Sequence, residues 1–301
     1  MKPLDCITVG LSLSESDQHL LSYAAMLARM GVGKKIQFVH VSAPQPAPPT
    51  QADHTETRKQ MESSVAQQFG SVGTHVQRTF AVCEGVLIDQ LLAHTERHPA
   101  DAVLLGHHQE GSGRHSLAER MAMICPTTVW MVPNQAPCQI RRVLAPTDFS
   151  AHSADSVCLA TALSQQAGLS ECLALHVYFD ASTIRYDESI AEDHYQAAIV
   201  FEQFLGPLEL HGVTVTPLIE EVSNVTKAIL RIASAQQCDL IVMSTRGRSR
   251  AAVVLLGSET SQTLIESGIP VVAVKHRGAF LNLFQALKDQ EIWTTSEAKT
   301  N

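Results

Sequence analysis

A chain of 301 residues with 45% hydrophobic and 17% charged residues is long enough for roughly two globular domains and too apolar to be disordered. Its net charge of −8 argues against a general nucleic-acid or anionic-membrane binder, although a local basic loop can still hold one phosphate ligand. Nowhere do about eighteen apolar residues run together, so no membrane span is expected, and seven cysteines without a CxxC pair read as reduced, mostly buried thiols. The opening MKPLDCITVGLSLSES lacks a basic segment followed by a long apolar stretch, and the expected location is cytoplasmic.

Ile7–Leu11 reads as a short buried strand, and Glu15–Met30 carries Leu20, Leu21, Ala24, Leu27 and Ala28 at helical spacing. Ile36–Val41 is the next strand. Ser42–Gln51 is proline-rich and predicts a surface loop before a polar helix, Thr55–Phe69. Val76–Val82, Ala102–Gly106 and Thr128–Val132 are further strands, separated by helices at Val86–His94 and at residues 116–124. Strand alternating with helix implies right-handed crossovers and a parallel sheet covered on both faces.

The same order then starts again. Val143–Thr147, Cys172–Val177, Val213–Ile219, Leu240–Met243 and Val271–Val274 read as strands, with helices at Ala151–Ala167, Ile190–Leu205, Asn224–Ala235 and Ser258–Ser267. FVHV at Phe38–Val41 matches ALHV at Ala174–Val177, and ADAVLLG at Ala100–Gly106 matches CDLIVMS at Cys238–Ser244. The chain is thus read as an internal duplication. A first domain over residues 1–137, a second over 138–277 and a helical tail over 278–301 are expected, with Pro133–Ile140 as the linker.

One stretch points to a ligand. Asp239–Ser258 reads as a buried strand, a small-residue loop with Gly247 and Gly257, and a helix start with a hydroxyl at its cap, Ser258. Glycines let backbone N–H groups approach an anion, a helix N-terminus adds partial positive charge, and Arg246, Arg248 and Arg250 carry full charges that can reach phosphate or form a solvated face.

With this loop and the duplication, the chain resembles the tandem form of the universal stress protein family, from residue 5 to 276. The family's ATP-binding pattern, glycine, two residues, glycine, nine residues, glycine and then Ser or Thr, falls on Ser244, Gly247, Gly257 and Ser258, with serine in place of the first glycine. In PTDFS, Pro146–Ser150, Asp148 stands where the family's acidic residue contacts the nucleoside, and Val177 where backbone atoms hold adenine. The resemblance implies two tandem doubly wound α/β domains, adenine-nucleotide-alpha-hydrolase-like, and ATP with Mg bound by the second through Asp148, Val177, Met243, Ser244, Gly247, Arg248, Gly257 and Ser258. In the family the last strand pairs domains, so Thr128–Val132 and Val271–Val274 are expected to pair within this chain as an internal pseudo-dimer.

The first half keeps the fold signature and changes the site. Ser12 takes the place of Asp148, Gly106 is kept, and Gln109 replaces the next glycine, so this half is expected not to bind ATP. His107, His108 and His115 cluster there without a carboxylate or cysteine at ligand spacing, which speaks against a metal. No Gly-x-Ser-x-Gly elbow, Walker lysine or HExxH is present. The implied function is stress-response regulation by nucleotide binding, acting on a conformation or on an unknown protein partner; a scaffold with dead sites and a slow ATPase are the alternatives, and association of two chains is left open. The tail's Phe280, Leu283, Phe284 and Leu287, at helical spacing, read as a helix packed on its own domain or docked on a partner.

Overall fold

The computed structural model describes residues 4–44, 50–70, 76–107, 117–178, 198–222, 224–247 and 256–275. The tail stripe, Arg248, Arg250, Gln109, His108 and His115 lie outside them. In the first half, β1 (Cys6–Leu11), β2 (Lys35–Ser42), β3 (Gln77–Glu84), β4 (Ala102–His107) and β5 (Thr128–Pro133) alternate with α1 (Asp17–Arg29), α2 (Gln51–Phe69), α3 (Leu87–Arg97) and α4 (Leu117–Ile124). The second half repeats this with β6 (Val143–Thr147), α5 (Ala151–Gln166), β7 (Glu171–Tyr178), a helical segment α6 at residues 198–205, β8 (Thr214–Glu221), α7 (Val225–Ala235), β9 (Leu240–Ser244), α8 (Ser258–Glu266) and β10 (Val271–Val274). Residues 190–197 of the expected helix lie outside the described residues.

Within each half the strands are parallel, in the order β3-β2-β1-β4-β5 and its repeat β8-β7-β6-β9-β10. The halves join at one antiparallel pair. β10 lies against β5 with Val272 opposite Trp130, making a single ten-stranded sheet, the internal pseudo-dimer that the resemblance implies. Apolar runs such as Ala102–Leu105 and Val271–Val274 are buried along their whole length because helices cover both faces. The two resulting core layers each draw side chains from both halves.

Local chemistry sets the element ends. Helix α2 begins at Gln51, four residues before the expected Thr55, because Thr50 and Asp53 form a capping box: Asp53 N donates to Thr50 Oγ1 at 3.3 Å and Thr50 N to Asp53 Oδ2 at 2.8 Å. Only Met61, Val65 and Phe69, one per turn, seat this polar helix, with Phe69 edge-on to Phe38 at 5.7 Å. Of the seven cysteines Cys125, Cys172 and Cys238 are buried and Cys138 is exposed, so burial is less general than the sequence reading expected. Burial pushes Cys172 up to about 12 and Cys238 to about 11, which leaves both thiols protonated and inert.

His94 couples the packing of α3 to pH. Its Nε2 donates to Gln37 Oε1 on β2 at 2.9 Å, and Gln37 Nε2 in turn donates to Cys6 Sγ. Burial first, then His98, Arg97 and Lys35, hold His94 down to about 4 from the usual 6.5. The unfolded chain therefore binds more protons between these values, and stability present above 6.5 is lost as pH falls through 4. Urea midpoints for the wild-type chain should drop between pH 7 and pH 4.5, and His94→Gln should flatten that slope. An unchanged slope in the variant would assign the acid sensitivity to other groups.

Candidate functional site

In the second half the chain runs outward from β6 to β7 and β8, then returns to β9 on the other side of β6. This reversal opens a crevice at the carboxyl ends of β6 and β9, the place where open α/β sheets bind ligands. A cavity of about 670 Å³ occupies it, within the range of small-molecule sites. Its walls come from the end of β6 (Asp148), the end of β7 (Val177), the β9 loop (Met243, Ser244, Gly247) and the start of α8 (Gly257, Ser258). The fold thus brings together seven of the eight residues named from the motif, and the eighth, Arg248, lies outside the described residues.

Each wall has a local cause. After β6, Phe149 adopts a left-handed φ of 61°, uncommon for a non-glycine residue, and its equivalent after β1, Leu13, has 60°. The turn is braced on both sides. Thr147 Oγ1 accepts from Phe149 N at 3.1 Å, and His176 Nδ1 donates to Thr147 O at 2.9 Å while its ring packs 4.2 Å from Phe149. Asp148 Oδ1 accepts from Ser150 N at 3.1 Å, and Ser150 caps α5 by accepting from Ser153 N at 3.2 Å. Asp148 Oδ2 faces the glycine loop: a Cβ placed on Gly247 would lie 2.7 Å from it.

Ser244 fits the position of a glycine. Its φ lies outside the left-handed region, and its Oγ turns away into the loop to donate to Arg246 O at 2.5 Å. The first residue of α8 differs from expectation. The cap is Gly257, extended at φ −69° and ψ 148° with no side-chain bond, and Ser258 is the first helical residue, so its hydroxyl does not cap the helix. Gly257 N donates to Thr245 O at 2.8 Å and Thr260 Oγ1 to Ser244 O at 2.7 Å, which ties the start of α8 to the β9 loop. The first turn of α8, with its partial positive charge and no side-chain cap, lines the cavity.

Two charged residues complete the site. Arg246 lines the cavity, and its Nη2 is shielded from solvent with no hydrogen-bond partner among the described residues. Glu259 also lines it, with Oε2 accepting from Thr226 Oγ1 at 2.6 Å, and its negative charge in the first turn of α8 offsets part of the positive potential. Sequence reasoning passed over Glu259, whose place next to Ser258 was the available signal.

The first half closes the equivalent turn on itself. Ser12 N and Leu13 N donate to the Asp17 carboxylate at 3.1 and 2.6 Å, and Ser12 Oγ adds a third bond at 2.9 Å. Asp17 is buried in the first turn of α1, where Ser153 stands in the second half. Its carboxylate binds the backbone of the turn, and the cleft left beside it, lined by Leu11, Leu13 and Asp17, holds about 310 Å³, less than half the volume at Asp148. His40 Nδ1 donates to Leu11 O at 2.9 Å, repeating the His176 brace. Among the described residues no three His, Cys, Asp or Glu side chains are placed to hold a metal ion, and no helix is long and apolar enough to cross a membrane.

With this geometry in hand, comparison with known proteins is specific about the family. The universal stress protein family matches the chain twice, over residues 4–133 and 139–275. Among solved structures, a universal stress protein from Archaeoglobus fulgidus is 19% identical with a TM-score of 0.68, covering 91% of this chain and 97% of its own. A functionally unknown protein from Pseudomonas aeruginosa is 15% identical with a TM-score of 0.69, covering 95% of this chain and 98% of its own. At these identities the two structures speak to the fold. No significant match is found among curated proteins. Two family matches spanning nearly all the described residues, on a fold whose two halves repeat the same strand order, mean that the chain belongs to the universal stress protein family, with two tandem domains.

Proposed function

We propose that the second half binds an adenine nucleotide, ATP with Mg, and that occupancy of this site regulates a partner in a stress response. The observation that supports this most is the single cavity of about 670 Å³ that gathers Asp148 and Val177 on one side and Gly247, Gly257 and Ser258 on the other. Asp148 and the backbone at Val177 hold the nucleoside; the glycine loop, the first turn of α8 and Arg246 hold phosphate. Regulation requires that the nucleotide bind two conformations of the chain with different affinities. Residues 1–137, 138–277 and 278–301 are the units on which this reading acts.

Glu259 favours a second reading, a scaffold whose site holds no nucleotide, because a carboxylate at the phosphate end repels the ligand. Calorimetric titration of nucleotide-stripped protein with Mg-ATP separates the two. One site per chain is expected, with AMP weaker than ATP, and Asp148→Ala should weaken ATP by about tenfold through the loss of one charge-assisted hydrogen bond. Absence of heat and of thermal stabilisation at millimolar Mg-ATP would leave the scaffold reading in place.

A further inference from the structure

The first turn of α8 is tied down side chain by side chain. Glu259 Oε2 accepts from Thr226 Oγ1 of α7 at 2.6 Å, Thr260 Oγ1 donates to Ser244 O at the end of β9 at 2.7 Å, and Ser261 Oγ donates to Glu119 Oε1 of α4. These three consecutive residues all line the cavity, yet each is held by a different element, and the last by the other half of the chain. The bond from Ser261 N to Gly257 O at 3.0 Å is the first of the helix, so the amides ahead of it have no partner within α8. A phosphate must find those amides already aimed, because a turn that swings loses the alignment on which hydrogen bonds and dipole depend.

The first half lacks the material for such a set of ties. It reads SLAER where α8 opens with SETSQ, so Leu117, Ala118 and Glu119 stand for Glu259, Thr260 and Ser261, and the first two carry no hydrogen-bonding side chain. Of these three positions only the last is polar in both halves, and there the antiparallel join of β5 and β10 sets the two helices against each other. Glu119 is fully buried, a costly place for a carboxyl group unless it is hydrogen-bonded. Two glutamates would repel each other across this seam, whereas serine on one side gives a donor to the other. Near its last residue α4 is fixed to the second half again, where Lys275 Nζ donates to Met123 O at 3.2 Å. Bonded to the second half in both places, it acts as a prop for α8.

Resting on the reading that the second half binds a nucleotide, we infer that Glu119 of the first half is a positioning residue for the phosphate end of that site. It lines no part of the cavity and acts through Ser261, which it holds in place. The half expected not to bind ATP thereby sets how well the other half holds phosphate.

The test measures Mg-ATP by calorimetry and adenosine by competition on the full chain carrying Glu119→Ala, Glu119→Gln or Ser261→Ala. Glu119→Ala and Ser261→Ala should each weaken Mg-ATP by about tenfold and adenosine by less than about twofold, since adenosine has no phosphate to misplace. Glu119→Gln, which keeps an acceptor for the Ser261 hydroxyl, should stay within about threefold of wild type. Ser261→Ala removes a single oxygen and decides the matter should the buried Glu119→Ala fail to fold. Without ligand, the Ser261 amide should exchange with solvent faster in either alanine variant, while the amide of Met243 in β9 keeps its protection. Equal weakening of both ligands, wild-type affinity in the alanine variants, or no recovery with glutamine would overturn the inference and leave Glu119 a packing residue. If the wild-type chain itself binds no Mg-ATP, the nucleotide reading fails, and the exchange of Ser261 alone decides whether Glu119 holds the turn.

Discussion

Replacing Gly247 by valine is expected to weaken Mg-ATP binding by at least ~100-fold, about 3 kcal/mol, while leaving the fold intact. The Cβ alone would stand 2.7 Å from Asp148 Oδ2, and two further methyl groups project from it into the same cavity. Asp148 cannot yield without loss, because its other oxygen accepts from Ser150 N at the start of α5 and Phe149 beside it is held left-handed under His176. One substitution thus displaces the nucleoside contact and blocks the phosphate approach together. The backbone at Gly247 is not in the left-handed region, so valine strains no dihedral and the thermal midpoint without ligand should stay within a few degrees. Gly257 makes a useful contrast: its added Cβ would meet Thr245 O at 3.6 Å, an ordinary contact, so Gly257→Ala should cost less. Binding of the Gly247→Val variant within threefold of wild type would mean that no ligand lies between Asp148 and the glycine loop.

What could be read from the sequence was what repeats or alternates. Strands such as Val143–Thr147 and Val271–Val274 were legible because covered parallel strands are continuous apolar runs, and the pairing of β5 with β10 followed from the resemblance to a family that joins domains by that strand. The position of the cavity was legible too, since the ends of β6, β7 and β9 meet wherever this strand order is built. Polar partners were not. Asp17 closes the Ser12 turn from the following helix, and nothing in its spacing distinguishes that from an acidic residue placed against the helix dipole. Thr50 hid among prolines, so the start of α2 was set four residues late. The cap of α8 passed from Ser258 to Gly257 because Thr245 O holds the glycine N–H, a bond across the loop that composition does not encode. Glu119 on α4, fully buried, accepts from Ser261 Oγ on α8; the two occupy equivalent places in their halves, and only the seam brings them together.

That seam carries the second large effect. Trp130 is fully buried at the centre of β5, opposite Val272, and its ring meets Tyr23 of α1 edge-on at 6.0 Å. Truncation to alanine removes a large buried ring from the layer packed by both halves, and a cavity of that size collapses poorly between strands pinned by ladder bonds. Trp130→Ala should therefore cost about 3–5 kcal/mol and lower the thermal midpoint by roughly ten degrees, whereas Trp130→Phe, which keeps an aromatic edge against Tyr23, should cost less than half of that. The position of the ring also makes the loss asymmetric. Val129 and Met131 face the opposite layer, so the pairing of β5 with β10 can persist while α1 loses its anchor on the sheet. Hydrogen exchange on the variant should then rise first in α1 and β1, ahead of the strands of the second half. Equal loss of protection in both halves would show that the seam unfolds as one unit with them, and a midpoint within two degrees of wild type would show that Trp130 carries little of the packing across the two halves.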